Sequence, residues 1–260
     1  MKIVTLVKHV PDAAAERTFD GSDNTTDRTG VDGILSELDE YALEEALKIS
    51  ETAGDTEVIA VTMGPQGALD AVKRALQMGA GAAVHIVDDA LHGSDAPATS
   101  EVLAAAIRKI GDVDLVVTGM ASTDGGMGVV PAMLAERLGV AQVGFVGEFT
   151  VGDGKITARR DADSTETVEV RLPAIVSVTD QINEPRYPSF KGIMAAKKKP
   201  VQTWSLADLE VDPSTVGLAA AWTAVETVVA RPARTQGEIV TDEGDGGTKL
   251  AEYLASQKFI

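Results

Sequence analysis

The chain has 260 residues, 44% of them apolar and only 4% aromatic, and carries a formal net charge of −17 at pH 7. That length supports one large core, or a core with a substantial appendage, while the charge argues against nucleic acid and anionic membranes, whose phosphates it would repel. The absence of cysteine excludes disulfides, thiol catalysis and thiolate metal sites.

The opening MKIVTLVKHV is too short and too soon polar for a secretory leader, and no apolar run has the length of a bilayer span. A reducing, cytoplasmic setting is the expectation. Ile3 to Val10 reads as a buried first strand stopped by Pro11. Asp12 to Gly33, rich in Gly, Asp and Thr, reads as a long loop of the functional kind. Ser36-Glu37-Leu38-Asp39 has the pattern of a capping box, and Leu38, Tyr41, Ala42, Ala46 and Ile49 share one helical face up to Gly54.

Strands are then expected at Val58–Thr62, Ala83–Val87 and Leu115–Thr118, with helices at Gly67–Met78, Thr99–Ile110 and Pro131–Leu138. Such alternation predicts an α/β fold, a mostly parallel sheet with helices on both faces. After Gly139 the period shortens. Gln142–Val146, Phe149–Val151, Ile156–Arg160, Thr167–Arg171 and Ala174–Val178 read as strands, with a hairpin turn at Asp153-Gly154, extending the sheet in antiparallel fashion. Asn183 to Pro200 is turn-prone and ends in Lys197-Lys198-Lys199. Residues 201–246 are weakly patterned, and a last amphipathic helix is expected at Thr248–Gln257, with Leu250, Tyr253 and Leu254 on one side. This tail needs a surface to lie on, and the sequence pattern favours its own domain over a partner.

The segment Leu115 to Leu138 carries the clearest chemistry. A strand feeds the glycine-rich MASTDGGMG, which feeds a helix. Backbone N–H groups and the positive helix end then converge where open α/β sheets bind ligands, a geometry suited to phosphate. The alternative is a merely flexible turn, since strand–Gly–helix junctions are common. The loop has no Lys, no Arg and no P-loop pattern, so binding without triphosphate hydrolysis fits better. His9, His85 and His92 form no constellation by spacing. Asp161, Asp163 and Glu166 read as a solvated hairpin more readily than as an acid pair or metal site, and no nucleophile has a base beside it.

VKHVPD, DEYALEEAL, EVIAVTMGP, ALQMGA, DLVVTGMASTD, RLPAIVSVTD and, above all, the NEPRY…IMAAKKK combination resemble the β subunits of electron transfer flavoproteins, and the likeness covers essentially the whole chain. The resemblance implies a Rossmann-like, adenine nucleotide alpha hydrolase-like domain over residues 1–199 and a C-terminal arm, 200–260, that packs on an α subunit. It implies a structural AMP in this chain and FAD held mainly by the α subunit at the interface. Acyl-CoA and related dehydrogenases would supply electrons, and a membrane quinone oxidoreductase would receive them. The chain would be a carrier subunit without a catalytic centre or metal.

Carried over by position, the nucleotide would lie against Leu6, Ser36, Glu37, Leu38, Asp39, Met63 and the run Gly119, Met120, Ala121, Ser122, Thr123, Asp124, Gly125, Gly126, Met127, Gly128, Val129 and Val130. Partner recognition would fall to Asn183, Glu184, Pro185, Arg186, Tyr187, Phe190, Ile193, Met194 and Lys197. The chain departs from the family where Gly128-Val129-Val130-Pro131 replaces Asn-Gln-Thr-Gly, where Ala13 and Leu38 replace aromatics near the flavin, and where Phe190 replaces a leucine anchor. The hairpin at Asp161–Glu166 is also shorter and carries Ser164-Thr165 in place of a glycine pair. Three rival readings stand beside this one: a second FAD in the AMP position of an electron-bifurcating member, a free-standing adenine-nucleotide sensor of the universal-stress type, and an ATP-using enzyme of the same broad fold.

Overall fold

The computed structural model describes residues 1–161, 163–234, 236–237 and 239–260. These divide into two units, Met1–Glu226 and Thr227–Ile260.

The first unit is built on a nine-stranded sheet. Its first strand, β1 (Lys2–Leu6), pairs in parallel with β4 (Glu57–Met63) on one side and β6 (Leu115–Gly119) on the other. From β4 the sheet continues through β5 (Ala82–Ile86) to β11 (Val201–Trp204). From β6 it continues through β10 (Ala174–Val178) to β7 (Ala141–Gly152), all in parallel. β8 (Lys155–Asp161) and β9 (Thr165–Arg171) then extend it antiparallel. The strand order therefore reverses between β1 and β6, which opens a crevice at their carboxyl ends.

Helices cover both faces. α1 (Glu37–Ala53) and α2 (Leu69–Met78) bury Ala42, Leu43, Ala46, Leu47, Val72 and Leu76 with Ile3, Val58 and Leu115 of the sheet. On the opposite face α3 (Ala96–Ile110) and α4 (Val130–Leu138) bury Val102, Leu103, Ile107 and Leu134 against Val4, Val61, Val116 and Ile175. Alternate residues of each strand thus feed separate cores, which is why the parallel strands read as continuous apolar runs.

Three expectations are amended. The first strand ends at Leu6 because the Lys8 N–H turns to the Asp39 carboxylate (2.9 Å) and the Lys8 carbonyl accepts from Ser36 N (2.8 Å). His9–Pro11 (β2) instead pairs antiparallel with Gly33–Leu35 (β3), closing the base of the loop between them. The two strands expected at Gln142–Val146 and Phe149–Val151 are one bulged strand, β7. Within the turn-prone stretch a short helix, α5 (Phe190–Ala196), forms because the Ser189 hydroxyl caps it, accepting from Gly192 N (3.0 Å).

The division between the two units falls at 226/227. Trp204 closes β11 on the sheet edge, and Leu206, Leu209, Val211 and Val216 are buried in the α3-side core. The second unit holds α6 (Gly246–Ser256), whose Leu250 and Tyr253 are exposed. Among the described residues no helix is long and apolar enough to cross a membrane.

Candidate functional site

Three surfaces bound the crevice between β1 and β6. The first is apolar. Leu6 at the end of β1, Met63 at the end of β4 and Val130 at the start of α4 are each partly buried against the same core layer. Three residues far apart in sequence thus pack on one core layer.

The second surface is polar backbone. β6 ends at Gly119, and the loop Met120–Val129 leads into α4. No side chain caps this helix, whose first turn contains Pro131, so the N–H groups of its first turn lack the usual partner. Gly126 and Gly128 have φ of +65° and +67°, and a Cβ on Gly128 would stand 3.3 Å from the Met120 carbonyl. The glycine at 128 therefore makes a close loop possible. The hydroxyls of Thr118, Thr123 and Ser36 are buried without a hydrogen-bond partner in the described structure. Buried unpaired hydroxyls are costly unless a ligand or water completes them. Uncapped N–H groups and orphaned hydroxyls together fit a phosphorylated, hydroxyl-bearing ligand.

The third surface is charged, and spacing gave little sign of it. Asp124, its side chain 1% exposed, accepts from Lys8 Nζ (2.8 Å) and from Arg28 Nη2 (2.7 Å). Lys8 Nζ also reaches Ser122 Oγ (3.3 Å), which with Asp124 Oδ1 takes the Gly125 N–H. Burial alone would push Asp124 up. The Lys8 ammonium, the Arg28 guanidinium and the Ser122 hydroxyl outweigh it and hold the carboxyl well below the usual range. The loop that lacked cations thus borrows two. Lys8 sits in the VKHVPD motif, but nothing in the loop marked Arg28.

Asp39 behaves differently. It was read as the N3 acid of a capping box, yet the Ser36 side chain makes no cap, and the Asp39 carboxylate leaves its own helix to accept from Lys8 N. Burial pushes this carboxyl up to about 7, against the Lys8 and Gly119 N–H groups and the Lys8 ammonium, which favour its charged form. A Cβ at Gly119 would lie 2.7 Å from Asp39 Oδ1 and 2.7 Å from the Leu38 carbonyl. The start of α1 and the ends of β1 and β6 are thereby tied at one point. Of the expected nucleotide residues, Ser36, Leu38 and Asp39 meet this junction or line its edge; Glu37 faces solvent, as do Gly125, Gly126 and Met127.

The expected recognition residues lie on a separate surface, beside α1 and α2. Tyr187 (88% exposed), Phe190 (81%), Ile193 and Met194 form an apolar tip, with Glu184, Lys191, Lys197 and Lys198 exposed around it. Asn183 and Arg186 turn the other way, toward α1. The histidines stay apart: His85 bonds to the Gly64 and Pro65 carbonyls, and His92 pairs with Asp23. Asp161 and Glu166 pair with Arg159 and Arg160 on the outer hairpin, and no cluster of metal-binding residues occurs among the described residues.

The chain matches the sequence model described as "Electron transfer flavoprotein domain" over residues 23–209. It is 48% identical over 263 positions to the electron transfer flavoprotein subunit beta of Mycobacterium leprae, and 46% identical to that of Mycobacterium tuberculosis, each alignment spanning 99% of both chains. It is 38% identical over 257 positions to the caffeyl-CoA reductase-Etf complex subunit CarD of Acetobacterium woodii, covering 98% of this chain and 96% of that one.

Proposed function

The chain belongs to the electron transfer flavoprotein family, among its β subunits, and we propose that it binds AMP in the β1–β6 crevice and completes an electron carrier with a flavin-bearing α subunit. The carrier takes electrons from dehydrogenases of the acyl-CoA type and delivers them to a membrane quinone oxidoreductase.

One observation carries the AMP reading. The crevice sets the apolar Leu6, Met63 and Val130 beside an uncapped helix start, and its charged residues leave little to spare. Lys8 and Arg28 against Asp124, with Asp39 beside them, amount to at most one net positive charge, which suits a single phosphate better than a polyphosphate. The adenine ring would lie along Leu6, Met63 and Val130, with the phosphate at Gly128–Val130. Gly128, Val129 and Val130 supply backbone N–H donors in place of the family's side-chain amide and hydroxyl.

FAD, when bound, supplies the reversible uptake of electrons. This chain's residues bind, orient and exclude water. Ala13 and Leu38 add little bulk beside the flavin, so its ring would depend chiefly on the α subunit. Asn183–Lys199 serves as the docking segment for dehydrogenases, through Tyr187, Phe190, Ile193 and Met194. The stretch from residue 227, with Val229, Ile239 and Leu250 exposed, lies on the α subunit.

The test is the nucleotide content of the heterodimer, formed by co-expression with its α subunit and then denatured. The expected result is one FAD and one AMP. Two FAD and no AMP would replace the structural nucleotide with a second flavin. A stable homodimer indifferent to any α subunit would overturn the carrier reading altogether.

A further inference from the structure

The docking segment is gripped from beneath by one helix. Asn183 Nδ2 donates to the Tyr41 carbonyl (3.0 Å) and to Glu45 Oε2 (3.0 Å). Three residues on, the Arg186 main-chain N–H (3.1 Å) and its Nε (2.7 Å) both donate to Glu44 Oε2, while Nη2 donates to Glu44 Oε1 (3.0 Å). The outer edge of the same guanidinium donates to Glu51 through Nη1 (2.5 Å) and Nη2 (3.2 Å). Glu44 and Glu51 stand seven residues apart, two turns along one face of α1, so a single arginine lies across both carboxylates in forked geometry.

Glu44 is the informative member. Its side chain is 5% exposed, and a carboxylate so placed is tolerated only when its charge and its oxygens are matched. Arg186 matches both. Hydrogen bonds donated to Glu44 and then to Glu51 push Arg186 above its ordinary range, and Arg186 in turn holds the Glu51 carboxyl below its own. With two carboxylates on one guanidinium, Arg186 has no charge left to offer a partner.

The far end of the segment is fixed as well. A Cβ on Gly192 would come within 2.5 Å of the Gln77 carbonyl, so α5 lies hard against the end of α2, and Lys199 Nζ donates to the Leu76 carbonyl (2.9 Å). Between these anchors Arg74 stands 6.0 Å from the centre of the Tyr187 ring while its Nε holds Glu40 (3.1 Å). The segment is thus bound at both ends and bare in the middle, where Tyr187 and Phe190 project.

We propose that the Glu44–Arg186–Glu51 clamp is a positioning device for docking: it fixes the shape in which Tyr187 and Phe190 meet an electron donor, and Arg186 acts through that shape without touching the donor. The inference rests on 183–199 being the docking segment. It assigns the cationic part of the contact to Lys191, Lys197 and Lys198, which are exposed, and removes Arg186 from it.

The experiment compares the parent heterodimer with Glu44→Gln and Arg186→Lys, measuring amide hydrogen exchange over 184–196 and the steady-state kinetics of reduction by an acyl-CoA dehydrogenase. For Glu44→Gln the expected result is exchange faster by about tenfold. KM for the dehydrogenase should rise by about tenfold with kcat within about twofold, the signature of lost docking. Arg186→Lys, which keeps the charge and loses the fork, should fall between parent and Glu44→Gln on both measures. Unchanged exchange in both variants would overturn the clamp. A raised KM without faster exchange would also overturn it, by placing Arg186 in the contact, and would leave the docking segment intact. Faster exchange with KM unmoved would instead show that 183–199 is not where the donor docks, and the proposal would fall with that reading.

Discussion

The crevice and the docking segment are held by the same 17-residue helix, α1, and they differ in what they leave unfinished. The crevice hides its unmet needs: the hydroxyls of Ser36, Thr118 and Thr123 are buried, and its cations are tied to Asp124. The docking segment does the reverse. Asn183, Arg186 and Lys199 turn inward, onto Glu44, Glu45, Glu51 and main-chain carbonyls, while its apolar side chains and Lys191, Lys197 and Lys198 stand in water. A buried polar vacancy suits a small ligand that stays, since the cost of leaving it unpaired is continuous. An exposed apolar tip on a stiff base suits a large partner that comes and goes, because little ordering is needed at each encounter.

The sharpest way to break the contrast is at its two tight glycines. In Gly119→Ala the new methyl meets the Asp39 carboxylate and the Leu38 main chain, both fixed in the junction of β1, β6 and α1. A cost of about 3 kcal/mol in urea-denaturation stability is expected, together with loss of bound nucleotide. Gly192→Ala meets the Gln77 carbonyl at the rim, where α5 has no buried residue. It should cost about 1 kcal/mol or less and leave the nucleotide in place. Equal losses in the two variants would mean that crevice and docking segment are one cooperative structure.

The second test uses pH. The Asp39 carboxyl titrates at about 7 in the folded chain against an ordinary 3.8, so between those values the folded state binds more protons than the unfolded one. Stability contributed by this group is therefore fully present below the ordinary value and is lost as pH rises toward and through about 7. The groups that act on it are Lys8, which favours the charge, and Asp124, which opposes it. In Asp39→Asn that slope should vanish, so the parent-minus-variant difference in stability should fall between pH 4 and 8 by an amount on the order of 3 kcal/mol. Asp124→Asn should show the opposite trend, its contribution disappearing only on acidification, because its carboxyl is held low. A flat difference for Asp39→Asn would mean that its carboxyl is already hydrated. Beneath the docking segment the Glu51 carboxyl, held low by Arg186, should follow Asp124, its contribution lost only on acidification.

The sequence made the sheet and its glycine loop legible because both are local in pattern. Strand Ala174–Val178 falls where the apolar run places it, and the strand–loop–helix at 115–138 is one continuous signal. What stayed hidden depends on distant partners. Arg28 reaches Asp124 across 96 residues and Lys8 across 116, and β1 stops early because a side chain 31 residues away takes a main-chain N–H. The docking segment was legible as a motif but not as a shape. The stretch Asn183–Pro200 read as turn-prone, whereas Ser189 caps a helix there and Arg186 faces inward. Edge strand β11 was missed for a related reason: Val201-Gln202-Thr203-Trp204 has no apolar run, and it becomes a strand by pairing with the edge of β5.

The smallest energy belongs to the apolar tip, and it separates the two regions most cleanly. Phe190 is 81% exposed at the start of α5. Phe190→Ala should leave urea stability within about 0.5 kcal/mol of the parent, as for surface positions in general. Flavin and AMP contents should be unchanged, because no crevice group is touched. If the ring fills a pocket on the dehydrogenase, its removal should slow reduction about tenfold in kcat/KM, equivalent to about 1.4 kcal/mol. Stopped-flow reduction at limiting donor concentration measures this directly. A Phe190→Leu variant should recover most of the rate, since an aliphatic side chain of similar reach occupies the position in relatives that this segment resembles. Should Phe190→Ala reduce flavin content instead, the aromatic would belong to the folded core of the carrier, and the division between a ligand-holding crevice and a partner-seeking tip would have to be redrawn around α5.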